Sequence, residues 1–422
     1  MGDQIWLAAG VRSPFAKVDG PLAGLDAIGL SVPVVQAMAE RASGKPDLLV
    51  WGAVIPNLTW SNIAREVVLD AGLDPTIPAY GTVMACSTSM AGAFQAAGLL
   101  DGRGRDLALV GGAESMSQVQ IGLSQRLSNR FRAVQQARTG GDRLRALAAT
   151  RPADIGLFIP SVVNRTTGMS MGEHTEITAK QWGIGREAQD AVALASHRTA
   201  VAAWAAGFFK DLVIPVAGME RDNIPRADTS PERLAKLKPA FDRTSGQGSL
   251  TAGNSSPLTD GAAALWAATE AGLKRLPAAT PRVKLIDYEI TSIDLRHEGL
   301  LMAPAYGVPR LLVRNGLTYG DIGLWEIHEA FAAQLLFHIK AWEDRGFVRD
   351  KAGVEVDLGD FPRARVNPTG GSVALGHPFG ATGARILSQA IQELAARGKG
   401  ERAIVSICAD GGQGTMALLE AA

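Results

Sequence analysis

Residues 86–115, CSTSMAGAFQAAGLLDGRGRDLALVGGAES, and residues 377–412, HPFGATGARILSQAIQELAARGKGERAIVSICADGG, read as two versions of one plan. In each, a residue with a reactive side chain opens an Ala/Gly-rich helical run. A charged turn follows, and a short apolar strand then runs into paired glycines. Ser and Thr after Cys86 suit a helix start, and the alanines beyond them propagate the helix. Repeating the plan implies two related α/β halves, each presenting reactive groups from loops at strand and helix ends, where open α/β sheets keep their sites. Chance repetition of a common α/β grammar is the competing reading.

Outside these stretches the α/β alternation continues. Leu48–Ile55 and Leu107–Val110 read as buried strands, and Met90–Leu100 and Ile386–Ala396 as helices. Composition shifts between the halves: residues 125–151 hold seven arginines and one acid, Asp142, a local formal charge of +6. A solvated helix face or loop is the plain reading, with an anion-binding surface as the sharper one. Glu187–Phe209 reads as a long alanine-rich helix, and Pro225–Pro239 as a polar connection, so an inserted subdomain is expected here.

With 422 residues the chain is too long for one core at about 150 residues per domain. Its 42 basic and 42 acidic residues cancel, so no overall field draws it to nucleic acid or anionic lipid. Two cysteines cannot form a disulfide framework, and their separation is wrong for a Cys-based zinc site, which points to a reducing, cytoplasmic setting. Met1–Arg12 carries no targeting pattern. The longest charge-free run, Pro75–Leu100, is interrupted by Pro78, Gly81, Gln95 and five Ser/Thr, so no transmembrane segment is expected.

Cys86 lies at an expected helix start, whose dipole contributes roughly 0.3 to 1 kcal/mol, under one pKa unit, so the helix alone does not make a thiolate. An imidazole is the missing partner. His377, in NPTGGSVALGHPFGATGAR, has glycines around it that permit close backbone approach. Cys408 ends an apolar strand, and a thiol there suits proton transfer, although core packing is its commoner fate. His328 and Glu329, in EIHEAFAAQ, share another strand-to-helix junction and suit holding a water and orienting a neighbour. The competing motif is GMSMG, residues 168–172, a G-x-S-x-G match with Ser170 as nucleophile. The polar NRTT before it is not a buried strand, which argues against that reading. No P-loop, G-x-G-x-x-G or H-E-x-x-H pattern occurs.

In order, TVMACSTSMAG, GGAESMS, TAGNSSPLTDGAAAL, EIHEAFAAQ, NPTGGSVALGHPFGATGAR and CADGGQGTMALLE resemble the signature blocks of the thiolases, across nearly the whole chain. The His-Glu-Ala-Phe form resembles the branch of bacterial 3-ketoacyl-CoA thiolases and β-subunits of fatty-acid oxidation complexes. The resemblance implies a five-layered αβαβα core of two similar halves: residues 1–122 as the N-terminal half, 123–251 as an inserted loop subdomain covering coenzyme A, 252–280 returning to the first half, and 281–422 as the C-terminal half. It implies acyl transfer between 3-ketoacyl-CoA and coenzyme A, with coenzyme A a substrate and no metal or other cofactor. Cys86 would be the acylated nucleophile, His377 its base, and Cys408 the acid/base at the α-carbon. His328 and His377 would form one oxyanion hole and the backbone N–H groups of Cys86 and Asp410 the other. Ser256 falls where the family contacts pantetheine, Asn254 joins it as a binding residue, and Met171 lines the pocket. A homodimer or homotetramer is implied, with a hydratase/dehydrogenase subunit as a further partner.

Asp410 departs from the family, which has Gly or Ala there. A carboxylate facing the pocket would oppose a developing oxyanion, so its side chain is expected to turn away. Two other functions fit the residues: a condensing ketosynthase, disfavoured by Cys408, and a catalytically silent acyl-CoA-binding scaffold, disfavoured by the intact Cys86, His377 and Cys408.

Overall fold

The structure is a computed structural model that describes residues 4–100, 102 and 104–422. The expected charged turn after the first repeat includes Asp101 and Arg103, and the N-terminal reading includes residues 1–3; these five lie outside the described residues. The described strands are β1 Trp6–Arg12, β2 Ala16–Lys17, β3 Leu48–Gly52, β4 Ala79–Gly81, β5 Leu107–Glu114, β6 Gly122–Leu123, β7 Leu157–Phe158, β8 Thr259–Ala268, β9 Arg282–Ser292, β10 Leu324–Ile327, β11 Arg402–Ala409 and β12 Gln413–Ala421.

The main sheet runs β4-β3-β5-β8-β1-β9-β12-β11-β10, with β2 against β8. Its two ends mirror each other about the β1–β9 pair. β4, β3 and β5 are parallel, and antiparallel β8 separates them from β1. On the other side, β10 and β11 are parallel, and antiparallel β12 separates them from β9. A parallel bridge from Trp325 to Val366 stands where β4 stands in the first half. The duplication is therefore written into the strand order.

Strands buried on both faces read as continuous apolar runs, and alternation splits their side chains between two cores. Leu48 and Val50 join a central core, whereas Leu49 and Trp51 join an outer one. In the second half Val405 and Ile407 face the central core and Ile404 faces its own outer core. The outer core of the first half packs under the helices Ala27–Glu40 and Ile63–Asp70. That of the second packs under Ala303–Arg314 and Ala332–Glu343. Between the half-sheets lie the helices Thr88–Leu99 and Thr382–Ala395, which supply Met90, Phe94, Leu387 and Ile391 to the central core. The layers are helix, sheet, helix, sheet, helix. A Cβ on Gly383 would stand 2.3 Å from the Met90 nitrogen, so the two central helices meet where only glycine fits.

Between β5 and β8 the chain adds the β6–β7 ribbon and a set of helices. The Arg-rich stretch forms two helices, Gln125–Gln136 and Gly140–Ala148, with no buried residue, as the solvated-face reading requires. The alanine-rich helix runs Arg186–Ala205, and Pro231–Ala235 adds a short turn of helix within the polar connection. Among the described residues, no helix is long and apolar enough to cross a membrane.

Candidate active site

Cys86 sits on a sharp turn between β4 and the first central helix. Ala85 before it has φ 45°, a left-handed conformation that an alanine holds only when its surroundings enforce it. Thr88 supplies that enforcement: its hydroxyl donates to the Ala85 carbonyl at 2.7 Å and accepts the Met84 N–H at 2.9 Å. Burial pushes the Cys86 thiol up to about 12, helped by the carboxylates of Asp410 and Glu114 and opposed by the backbone N–H groups of Cys86 and Asp410. The helix start does not yield a resting thiolate.

One nitrogen each of His328 and His377 lies within 4.8 Å of the Cys86 sulfur and of each other. This donor set is also one that zinc accepts. The rings stand 4.2 Å apart by centroid, and the Nε2 atom of each is buried with no hydrogen-bond partner among the described residues. Their Nδ1 atoms settle what each Nε2 carries. The Thr382 hydroxyl donates to the Pro378 carbonyl at 2.8 Å, so its oxygen, 2.6 Å from His377 Nδ1, must accept that N–H. His377 Nε2 is left as a bare lone pair. At His328 the polarity is reversed. The Arg385 guanidinium, which can only donate, takes one lone pair of the Ser372 oxygen, and among the described residues the acceptor within reach of the Ser372 hydroxyl hydrogen is His328 Nδ1 at 2.9 Å. His328 Nε2 therefore carries hydrogen.

Burial, and then Arg385, lowers His377 to about 3. Burial followed by the neighbouring His377, Arg385 and His338 holds His328 well below the usual imidazole range. Both rings are neutral at pH 7, one a base and the other a donor. The His377 loop is anchored on the first half by Glu114, which accepts the Gly380 N–H at 3.1 Å and those of Val54 and Ile55 at 3.0 Å. Glu329 braces the loop before it, accepting from Asn367 at 2.7 Å and Ser196 at 2.8 Å.

Cys408, at the end of β11, is buried close enough to Cys86 that Cys86 raises its thiol, on top of the larger effect of burial. The structure thus brings Cys86, His328, His377 and Cys408 together, with the Asp410 N–H on the same sulfur. The Asp410 carboxylate accepts from the Asn164 amide and from the Gly411 N–H, each at 2.7 Å. Met171 packs in the apolar cluster that contains Cys408 and Phe331. Ser256 is half-buried and its hydroxyl donates to the Ala330 carbonyl at 2.9 Å. Asn254 is fully buried, and its side-chain amide bonds Thr251, Asp190 and Ser249. Ser170 caps the helix Met171–Gln181 in a reciprocal box with Glu173, which accounts for GMSMG without a nucleophile. Sequence reasoning missed Thr382, Ser372, Arg385, Glu114 and Asn164. All five lie within or beside quoted stretches, but their partners are set by tertiary contact.

A duplicated α/β core that closes around a thiol, a base, a hydrogen-bond donor and a second thiol defines a cysteine-dependent acyl-transfer enzyme. Two family models match the chain, "Thiolase, N-terminal domain" over residues 5–271 and "Thiolase, C-terminal domain" over 279–421, and the chain belongs to the thiolase family. It is 40% identical to a 3-ketoacyl-CoA thiolase of an Enterobacter species, covering 100% of this chain and 97% of that one. It is 38% identical to the Pectobacterium atrosepticum 3-ketoacyl-CoA thiolase, with 99% and 97% covered. Among solved structures, the Bacillus anthracis acetyl-CoA acetyltransferase matches with a TM-score of 0.80 at 31% identity, covering 100% and 99%. An Ascaris suum thiolase in complex with coenzyme A matches at 0.80 and 27%, covering 99% and 100%.

Proposed function

We propose that the chain cleaves 3-ketoacyl-CoA with coenzyme A, releasing acetyl-CoA and an acyl-CoA shortened by two carbons, and that it can run the reverse condensation. The observation carrying this is the pair of opposed imidazoles beside one thiol. The lone pair on His377 Nε2 takes the Cys86 proton as the sulfur attacks the 3-keto carbon. The resulting alkoxide is held by the N–H groups of Cys86 and Asp410. As it collapses, the bond between C2 and C3 breaks, the acyl group stays on sulfur, and the electron pair leaves as the enolate of acetyl-CoA. His328 Nε2–H and the newly protonated His377 stabilise that enolate oxygen, and Cys408 protonates its carbon. The Cys408 thiolate then takes the proton of an incoming coenzyme A thiol. Attack on the acyl-cysteine releases the product and frees the Cys86 sulfur to recover its proton from His377.

Ser256 and Met171 are the residues we assign to the coenzyme A side of the pocket, and residues 123–251 to its cover. Coenzyme A is a substrate in this scheme, and each proton step has a protein group to carry it. A homodimer or homotetramer is supported by edge strand β4 with exposed Leu58 and Val83 nearby. The exposed apolar residues Ile121, Phe131, Leu157 and Phe158, beside the Arg-rich helices, support a hydratase/dehydrogenase subunit as partner. Two free thiols support a cytoplasmic setting.

Steady-state thiolysis by the purified chain across 3-ketoacyl-CoA lengths tests the reading. Acetyl-CoA release that disappears in Cys86→Ala is expected. Carbon dioxide release from a malonyl thioester, without thiolysis, would favour the ketosynthase instead.

A further inference from the structure

Asp410 presents two opposed groups to one reaction centre. Its backbone N–H favours negative charge on the Cys86 sulfur, while its carboxylate opposes it. The carboxylate accepts from a residue of the inserted segment, the Asn164 amide, and from the Gly411 N–H, each at 2.7 Å. Asn164 is 5% exposed, and its side-chain oxygen already accepts the N–H groups of Thr166 at 3.0 Å and Thr167 at 3.1 Å. That fixes which way the amide faces, because the nitrogen end is the only one left for Asp410. The loop holding Asn164 is itself closed by Asn164 N–H to Met169 and Gly168 N–H to Asn164, at 2.9 and 2.8 Å. His174 braces it through a 2.7 Å contact with the Thr167 hydroxyl.

We propose that Asn164 is a positioning residue that draws the Asp410 carboxylate towards the inserted segment, leaving the Asp410 N–H as the group that faces the developing oxyanion. The proposal rests on the thiolytic reading above. Its chemistry is electrostatic: a like charge within about 4 to 6 Å can raise an acid by 1 to 3 pKa units, so swinging the carboxylate nearer the sulfur costs at least about tenfold in thiolate. The amide supplies a charge-assisted hydrogen bond that opposes the swing.

The experiment compares wild type, Asn164→Ala, Asp410→Ala and Asn164→Ala/Asp410→Ala. The readouts are iodoacetamide alkylation of Cys86 at fixed pH and kcat and KM for acetoacetyl-CoA thiolysis. Asn164→Ala should alkylate about tenfold more slowly and lose about tenfold in kcat, with KM within threefold. The double variant should recover at least the wild-type alkylation rate, a rescue that a merely structural role would not give. Wild-type alkylation and kcat in Asn164→Ala, or a double variant as slow as that single one, would overturn the proposal. Should Asn164→Ala not fold, Asn164→Ser still decides: its hydroxyl can accept the Thr166 and Thr167 N–H groups but is too short to reach Asp410, so alkylation should slow about tenfold, and a wild-type rate overturns the idea. Wild-type thiolysis is measured first, so loss of the catalytic reading is seen separately from loss of this one.

Discussion

Replacing Thr382 with valine removes one hydroxyl and, with it, the reason His377 keeps its proton on Nδ1. Thr382 and His377 are both buried, so the Nδ1–H would be left without an acceptor, at 2.6 Å from where the oxygen had been. A buried donor stripped of its partner costs about 1 to 3 kcal/mol. The ring can avoid that cost by moving the proton to Nε2, which blocks the lone pair that must receive the Cys86 proton. Either way the competent tautomer is penalised by the same amount, equivalent to roughly 5- to 150-fold in kcat/KM at 1.36 kcal/mol per decade. Thr382→Ser retains the hydroxyl and should stay within threefold of wild type. Thiolysis of acetoacetyl-CoA by both variants, with thermal melts to confirm folding, gives the comparison. Equal kcat/KM for folded valine and serine variants would refute the tautomer argument.

Because Cys86 is pushed up to about 12 and His377 down to about 3, the free enzyme holds a neutral pair. Its alkylation rate should therefore climb about tenfold per pH unit from pH 6 to 9 as thiolate accumulates; a plateau below pH 8 would indicate a preformed thiolate–imidazolium pair. His328→Ala removes one enolate donor and should lower kcat about 100- to 1000-fold, while mass spectrometry still detects the acyl-enzyme. Full turnover in that variant would sink the donor role. Ser170→Ala should cost about 1 kcal/mol of stability through its helix cap and leave kcat within twofold. A hundredfold loss would revive Ser170 as a nucleophile.

The repeat around Cys86 and His377 was legible because helix starts, alanine runs and strand ends carry local signals, and the same signals reappear in the strand order on either side of β1 and β9. His328 and Cys408 were legible as residues with reactive side chains at strand ends. Their partners were not. Ser372 is 44 positions from His328, and nothing local in a serine says whether it will accept from an arginine and donate to an imidazole. Asn254 shows the converse: a polar residue in a signature block, expected to bind substrate, whose amide is used up inside the protein. Asp410 could be singled out because a charge replaced a small residue, but the amide that engages it lies 246 positions away.

The glycine contact at Met90 has a further implication. Nucleophile and base stand at the starts of two rods clamped together there, so the gap between sulfur and imidazole is set by how closely those rods touch. A polypeptide cut into its two halves would carry the thiol on one piece and the base on the other. Neither piece alone holds both groups, and chemistry would return only when the clamp re-formed.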